Sequence, residues 1–192
     1  MTHYLRCVFL NNYFFKIMNT DTVLAIAQQS REASRLLSLT SESLRNSALI
    51  QMAQALEAIQ SQVFAVNAQE VEKARQTGQT AAMVKRLTLD EKVFQYMLSR
   101  LRKVAQAPDP LNRVLEGHAN PNGLQAFKKS VPIGVVGIIY ESRPNVTSDA
   151  VGVCIKSGNA IILRGGSEAL ETNVLLADAM INGALDAGLP AH

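Results

Sequence analysis

Val131-Pro132-Ile133-Gly134-Val135-Val136-Gly137-Ile138-Ile139 is a β-branched run that gives way to the polar Tyr140-Glu141-Ser142-Arg143-Pro144-Asn145-Val146-Thr147. The run predicts a buried strand of the kind found in parallel sheets. Val146 to Ser157 reads as a helix, and Ala160-Ile161-Ile162-Leu163 as a second short strand. Glu168 to Ala187 reads as a long helix stopped by Gly188 and Pro190. Strand, helix, strand, helix is the alternation of a doubly wound α/β sheet.

Upstream, the texture changes. Residues 1–107 hold one glycine, Gly78, and no proline; residues 108–192 hold the other ten glycines and all six prolines. The first stretch can run as long helices, and the second must use short elements and tight turns. Leu44, Ala48, Met52, Leu56, Ile59 and Val63 recur at helical spacing, as do Leu89, Val93, Met97, Leu101 and Val104. Asn67 with Glu70, and Thr88 with Glu91, have the spacing of capping boxes and predict helix starts. Leu111–His118 and Leu124–Val131 flank Asn120-Pro121-Asn122-Gly123, the pattern of a β-hairpin.

Composition narrows the function. Nineteen Lys and Arg against sixteen Asp and Glu leave a net charge of +3, with no basic run longer than Lys128-Lys129. With aromatics at 5% and no Trp, a nucleic-acid surface is disfavoured. His3, His118 and His192 lack metal-ligand spacing, so no metal site is expected. The cysteines, Cys7 and Cys154, form no CxxC pair, and Cys154 in its apolar surroundings reads as structural. No apolar run reaches membrane-spanning length, and a cytoplasmic location is expected.

Two loops at predicted strand ends could carry chemistry. One is Tyr140–Thr147. The other is Arg164-Gly165-Gly166-Ser167-Glu168, where paired glycines admit a close backbone approach before a helix N-terminus and Arg164 adds positive charge. Neither a GxGxxG fingerprint nor a P-loop is present. The residues alone leave two readings of the second loop open, an anion site or a plain strand–helix connection.

Val131 to Thr147 and Lys156 to Glu168, both ungapped, closely resemble the gamma-glutamyl phosphate reductase family of the aldehyde dehydrogenase superfamily. The resemblance implies an N-terminal helical region followed by a partial, Rossmann-like cofactor sheet, truncated at the C-terminal end. Its boundaries would be a leader over 1–18 with an alternative start at Met18, helices over 19–110, a hairpin over 111–131 resembling part of an oligomerisation flap, and the start of the sheet over 132–192.

The implied activity is NADPH-dependent reduction of L-glutamyl 5-phosphate to L-glutamate 5-semialdehyde with release of phosphate, a step of proline biosynthesis. In that chemistry a cysteine thiolate displaces phosphate, and the thioester is then reduced. By resemblance Arg164 contacts the adenosine ribose, with Gly165, Gly166 and Ser167 around it, and Glu168 is the acidic ribose contact. Tyr140 and Pro144 line the cofactor path, and Asn145 donates to the oxyanion. Arg164 favours a 2′-phosphate and an ionised Glu168 opposes it; the resemblance decides for NADPH. The family's nucleophilic cysteine falls beyond His192, so the chain is expected to be inactive alone. The other reading is a non-catalytic nucleotide-binding or interaction module. Expected partners are glutamyl phosphate, further copies of the full-length form, and glutamate 5-kinase. A truncated sheet would also leave an unpaired edge.

Overall fold

The structure is a computed structural model that describes residues 3–7, 15–17 and 20–190. The rest of the expected leader, Met18 included, lies outside the described residues, as do His192 and all side chains before Val23.

Five helices come first: α1 (Thr20–Ser38), α2 (Glu42–Ala58), α3 (Gln60–Gln76), α4 (Ala81–Leu87) and α5 (Glu91–Gln106). The stripe from Leu44 to Val63 is divided between two of them. The chain breaks at Ile59, whose N–H reaches back only to Leu56 O at 3.1 Å. The residues before and after the break still share one core: Ala48, Leu49, Met52, Ala53, Leu56 and Val63 are buried with Phe94, Met97, Leu98 and Leu101 of α5.

Both expected capping boxes are corrected. Asn67 and Glu70 lie inside α3, where tertiary partners take their side chains. Asn67 Nδ2 donates to Leu87 O at 3.0 Å, and its Oδ1 accepts from Leu89 N at 2.8 Å. Thr88 closes α4, and Asp90 caps α5 by accepting from Val93 N at 2.8 Å.

The hairpin is β3 (Val114–Ala119) paired antiparallel with β4 (Gln125–Lys129), turned by Gly123 at φ +87°. It stands away from the core, with Val114, Leu115, Leu124 and Phe127 exposed. The main sheet has the order β2-β1-β6-β5, from β1 (His3–Cys7), β2 (Phe15–Ile17), β5 (Val135–Ile139) and β6 (Ala160–Arg164). β5 and β6 are parallel, as expected.

One expectation fails here. β5 is shorter than the run from Val131 and is only half-buried, because it is an edge strand; Ile139 is 80% exposed. The open edge is thus that of β5, while β6 is covered on its other side, where Arg6 and Cys7 of β1 pair antiparallel with Leu163 and Ile162.

Helix α6 (Pro144–Lys156) joins β5 to β6, and a single 3-10 turn (Ser167–Ala169) leads into α7 (Leu170–Asp186). Pro144 occupies the first turn of α6, where its missing N–H costs nothing. Leu176, Met180, Ala184 and their neighbours on α7 pack against α2. The result is an α/β sheet with helices packed around it, in a chain that is helical in its first half.

Candidate functional site

The loops after β5 and β6 meet at the carboxyl ends of the two parallel strands. Tyr140 N donates to Arg164 O at 3.0 Å and carries the ladder one step past the strands. Below that bond, three side chains, from the loop after β5, from α6 and from α7, form a line. Tyr140 Oη lies 2.6 Å from Thr147 Oγ1, and Thr147 Oγ1 donates to Asn173 Oδ1 at 3.1 Å. With the threonine proton spent on Asn173, the phenol is the donor to Thr147. Burial pushes the Tyr140 phenol up, outweighing its bond to Thr147, so it stays a neutral donor.

Asn173 is 8% exposed, and its Nδ2 has no hydrogen-bond partner among the described residues. That amide lies under Gly165. A Cβ on Gly165 would stand 2.5 Å from Asn173 Nδ2 and 3.2 Å from the Tyr140 ring. Gly166 is equally confined: its Cβ would stand 2.6 Å from Glu168 Oε2 and 3.3 Å from Ser142 Oγ. Neither glycine has a positive φ, so close approach is what requires them. Ser142, buried at the end of the first loop, donates to Glu168 Oε2 at 3.1 Å and ties the two loops together.

The N-terminus of α7 is already capped. Glu70, reaching across from α3, accepts from Glu171 N at 2.7 Å, from Thr172 N and from Thr172 Oγ1. Burial, the largest influence, raises the Glu70 carboxyl, while these bonds pull it back down. An open pocket of about 530 Å³ lies beside this cap, lined by Gln69, Glu70, Lys73, Thr77, Gln79 and, from the second loop, Ser167 and Glu168.

The residues read from the sequence divide accordingly. Tyr140, Gly165, Gly166 and Glu168 converge, and Ser167 is exposed at the pocket rim. Arg164 ends β6, half-buried. Pro144 is buried as the first residue of α6. Asn145 is half-buried in the next position, one turn before Asp149. Asp149 is raised chiefly by burial, with Arg100 and Asn145 opposing.

Sequence reading gave no individual role to Ser142, Thr147 or Asn173, and it placed Glu70 in a local capping box rather than at the start of α7. A legible signal existed for one of them: Thr172-Asn173 is a polar pair on a helix that otherwise buries Leu176, Ala177 and Met180.

A match over most of the chain gives these loops their setting. The family model described as "Aldehyde dehydrogenase family" matches residues 14–192. The chain belongs to the aldehyde dehydrogenase family. A gamma-glutamyl phosphate reductase of Syntrophomonas wolfei is 46% identical over 163 residues, which are 85% of this chain and 39% of that protein. The crystal structure of the Thermotoga maritima gamma-glutamyl phosphate reductase superposes with a TM-score of 0.85 at 35% identity, covering 88% of this chain and 41% of that one. The Saccharomyces cerevisiae enzyme of the same name gives 0.79 at 29%, covering 91% and 45%. The chain thus spans about two fifths of the length of the relatives it matches.

Within this aldehyde dehydrogenase chain one cysteine has a described side chain, and its surroundings disfavour the thiolate. Cys154 is buried in α6, and burial pushes its thiol from 9.0 up to about 11. Iodoacetamide at neutral pH should leave Cys154 unmodified in the folded chain and alkylate it once urea has unfolded the protein. Rapid labelling under native conditions would contradict that. Because the folded thiol titrates above the free one, its contribution to stability is full below pH 9.0 and is lost as pH rises through about 11.

No group of three or more His, Cys, Asp or Glu among the described residues could hold a metal. No described helix is long and apolar enough to cross a membrane.

Proposed function

We propose that the chain is the cofactor-side part of a gamma-glutamyl phosphate reductase, a cytoplasmic enzyme of proline biosynthesis that reduces L-glutamyl 5-phosphate to L-glutamate 5-semialdehyde and releases phosphate. The observation that carries this is the Gly165-Gly166 turn, stripped of side chains and held over the Tyr140–Thr147–Asn173 line at the ends of two parallel strands. Open α/β sheets bind nucleotides at that position. The spare amide of Asn173 and the two glycine cradles fit a polar ligand laid against the backbone.

NADPH, when bound, supplies the hydride. The chain's own residues bind and orient it. Arg164, Ser167 and Glu168 would meet the adenosine ribose, with Gly165 and Gly166 admitting it to the backbone and Tyr140 and Pro144 holding the floor. Asn145, at the start of α6, is the proposed donor to the oxyanion. The thiolate would come from sequence outside this chain, so alone it acts as a nucleotide-binding module; the inert Cys154 thiol supports that second reading. The exposed hairpin β3–β4 is the proposed contact between copies of the longer protein, and glutamate 5-kinase, which makes the labile acyl phosphate, is the proposed upstream partner.

Fluorescence titration with NADPH tests the reading. Saturable binding is expected, weakened more than tenfold in Gly165→Ala, whose new methyl displaces Asn173 at a stability cost of about 1–3 kcal/mol. No NADPH binding by the folded wild-type chain, or unaltered binding by the folded variant, would refute it.

A further inference from the structure

The pocket beside Ser167 and Glu168 has one wall from the helical half of the chain, and that wall supplies the one cation among its lining residues. Four ionisable groups face the space: Glu70, Lys73, Glu168 and Glu171. Glu70 is committed to the α7 N-terminus, where three donors converge on it. The positive end of the helix further offsets its charge. Glu168 is committed to Ser142. Glu171 gives its backbone N–H to Glu70 and has its carboxylate on the exposed first turn of α7.

Lys73 stands one turn along α3 from Glu70. Its ammonium forms no ion pair or hydrogen bond among the described residues. The acid next to it, Glu72, is paired with Arg75 at 3.5 Å. Lys73 is therefore the uncommitted cation of a pocket whose volume, about 530 Å³, admits a phosphorylated ribose.

We propose that Lys73 is the residue that selects a 2′-phosphorylated adenosine at this site. The inference rests on the cofactor reading above and deepens it. The conflict within the loop, where Arg164 attracts a 2′-phosphate and Glu168 repels one, is resolved from outside it. Ser142 occupies one oxygen of Glu168, and Lys73 brings a mobile ammonium across the pocket to the phosphate. A lysine on a flexible stem suits a monoester that needs a point charge rather than a fork. The helical half then does more than pack: it sets the cofactor preference of the sheet.

Calorimetric titration of the 192-residue chain with adenosine 2′,5′-bisphosphate and with 5′-AMP separates the possibilities. The wild type should prefer the bisphosphate. Lys73→Met should weaken the bisphosphate about tenfold and leave AMP unchanged, the size of one lost charge-assisted contact. Lys73→Arg should restore most of the preference. Lys73 is exposed, so neither change threatens the fold. An unchanged ratio in Lys73→Met overturns the proposal, and so does a wild type that binds both ligands equally. Failure of both ligands to bind would instead sink the cofactor reading, and Lys73 with it.

Discussion

Gly183→Ala should cost about 3 kcal/mol and lower the melting temperature by roughly 6–12 °C, for a change of one methyl. Gly183 lies on α7 where the helix crosses α2. A Cβ there would stand 2.6 Å from Gln51 O, 2.7 Å from Gln51 C and 2.7 Å from Met52 N. All three are backbone atoms inside a helix, so no rotamer change relieves them. The helices must move apart, and doing so loosens Ala48 and Met52 against Ala179, Met180 and Ala184. The higher helix propensity of alanine returns about 1 kcal/mol, already counted in the figure.

Two other glycines provide the comparison. Gly152→Ala would touch only the end of the Leu101 side chain at 3.0 Å, and Gly137→Ala would meet nothing within 4 Å. Urea unfolding of the three variants should therefore rank Gly183 far below Gly152, with Gly137 near the wild type. A Gly183→Ala protein as stable as the Gly137 variant would mean that the two helices are not in backbone contact.

The same contact shows what the sequence could and could not disclose. That Glu168 to Ala187 is a helix follows from its periodicity, and the strands on either side of α6 follow from their β-branched runs and glycine punctuation. These are local properties. Gly183 could only be read as a tolerated glycine, because the partner that requires it lies about 130 residues away in the chain.

The Asn67–Glu70 capping box failed for the same reason, whereas at Thr88 a nearer local acid, Asp90, took the cap. Asn67 and Glu70 have the right spacing, yet Glu70 does cap a helix, α7, whose first N–H groups are about 100 residues downstream. A motif written in spacing cannot say which backbone it will serve. The site was legible as two loops, since glycines and charge mark them. The line through Thr147 to Asn173 was not, since the bond that completes it joins residues that only the β5–α6–β6–α7 crossover brings together.

The largest polar effect is expected at Arg45. This residue is 2% exposed, and its guanidinium is shared among three elements. Nε donates to Lys156 O at 3.2 Å at the end of α6, Nη1 donates to Thr40 O, and Nη2 bonds Asp109 Oδ2 at 2.8 Å in the proline-flanked link after α5. Lys156 completes the knot: its buried ammonium donates to Asn46 Oδ1 at 2.7 Å and to Ala105 O at 3.3 Å, with Glu42 at 3.4 Å.

Arg45→Ala removes the donor for two carbonyls and a carboxylate at once, and leaves the Lys156 charge in a cavity with fewer acceptors ordered around it. A loss of about 3–5 kcal/mol follows, read as a shift in urea midpoint. Arg45→Lys keeps the charge but not the fork, and should recover less than half of that. Adding Asp109→Ala to Arg45→Ala should cost less than the sum of the two single changes, since the second removes an acid already stranded. If instead the double variant loses the full sum, Arg45 stabilises through its carbonyl contacts alone. The knot would then join α2 to α6 without involving the link that separates the helical half from the hairpin.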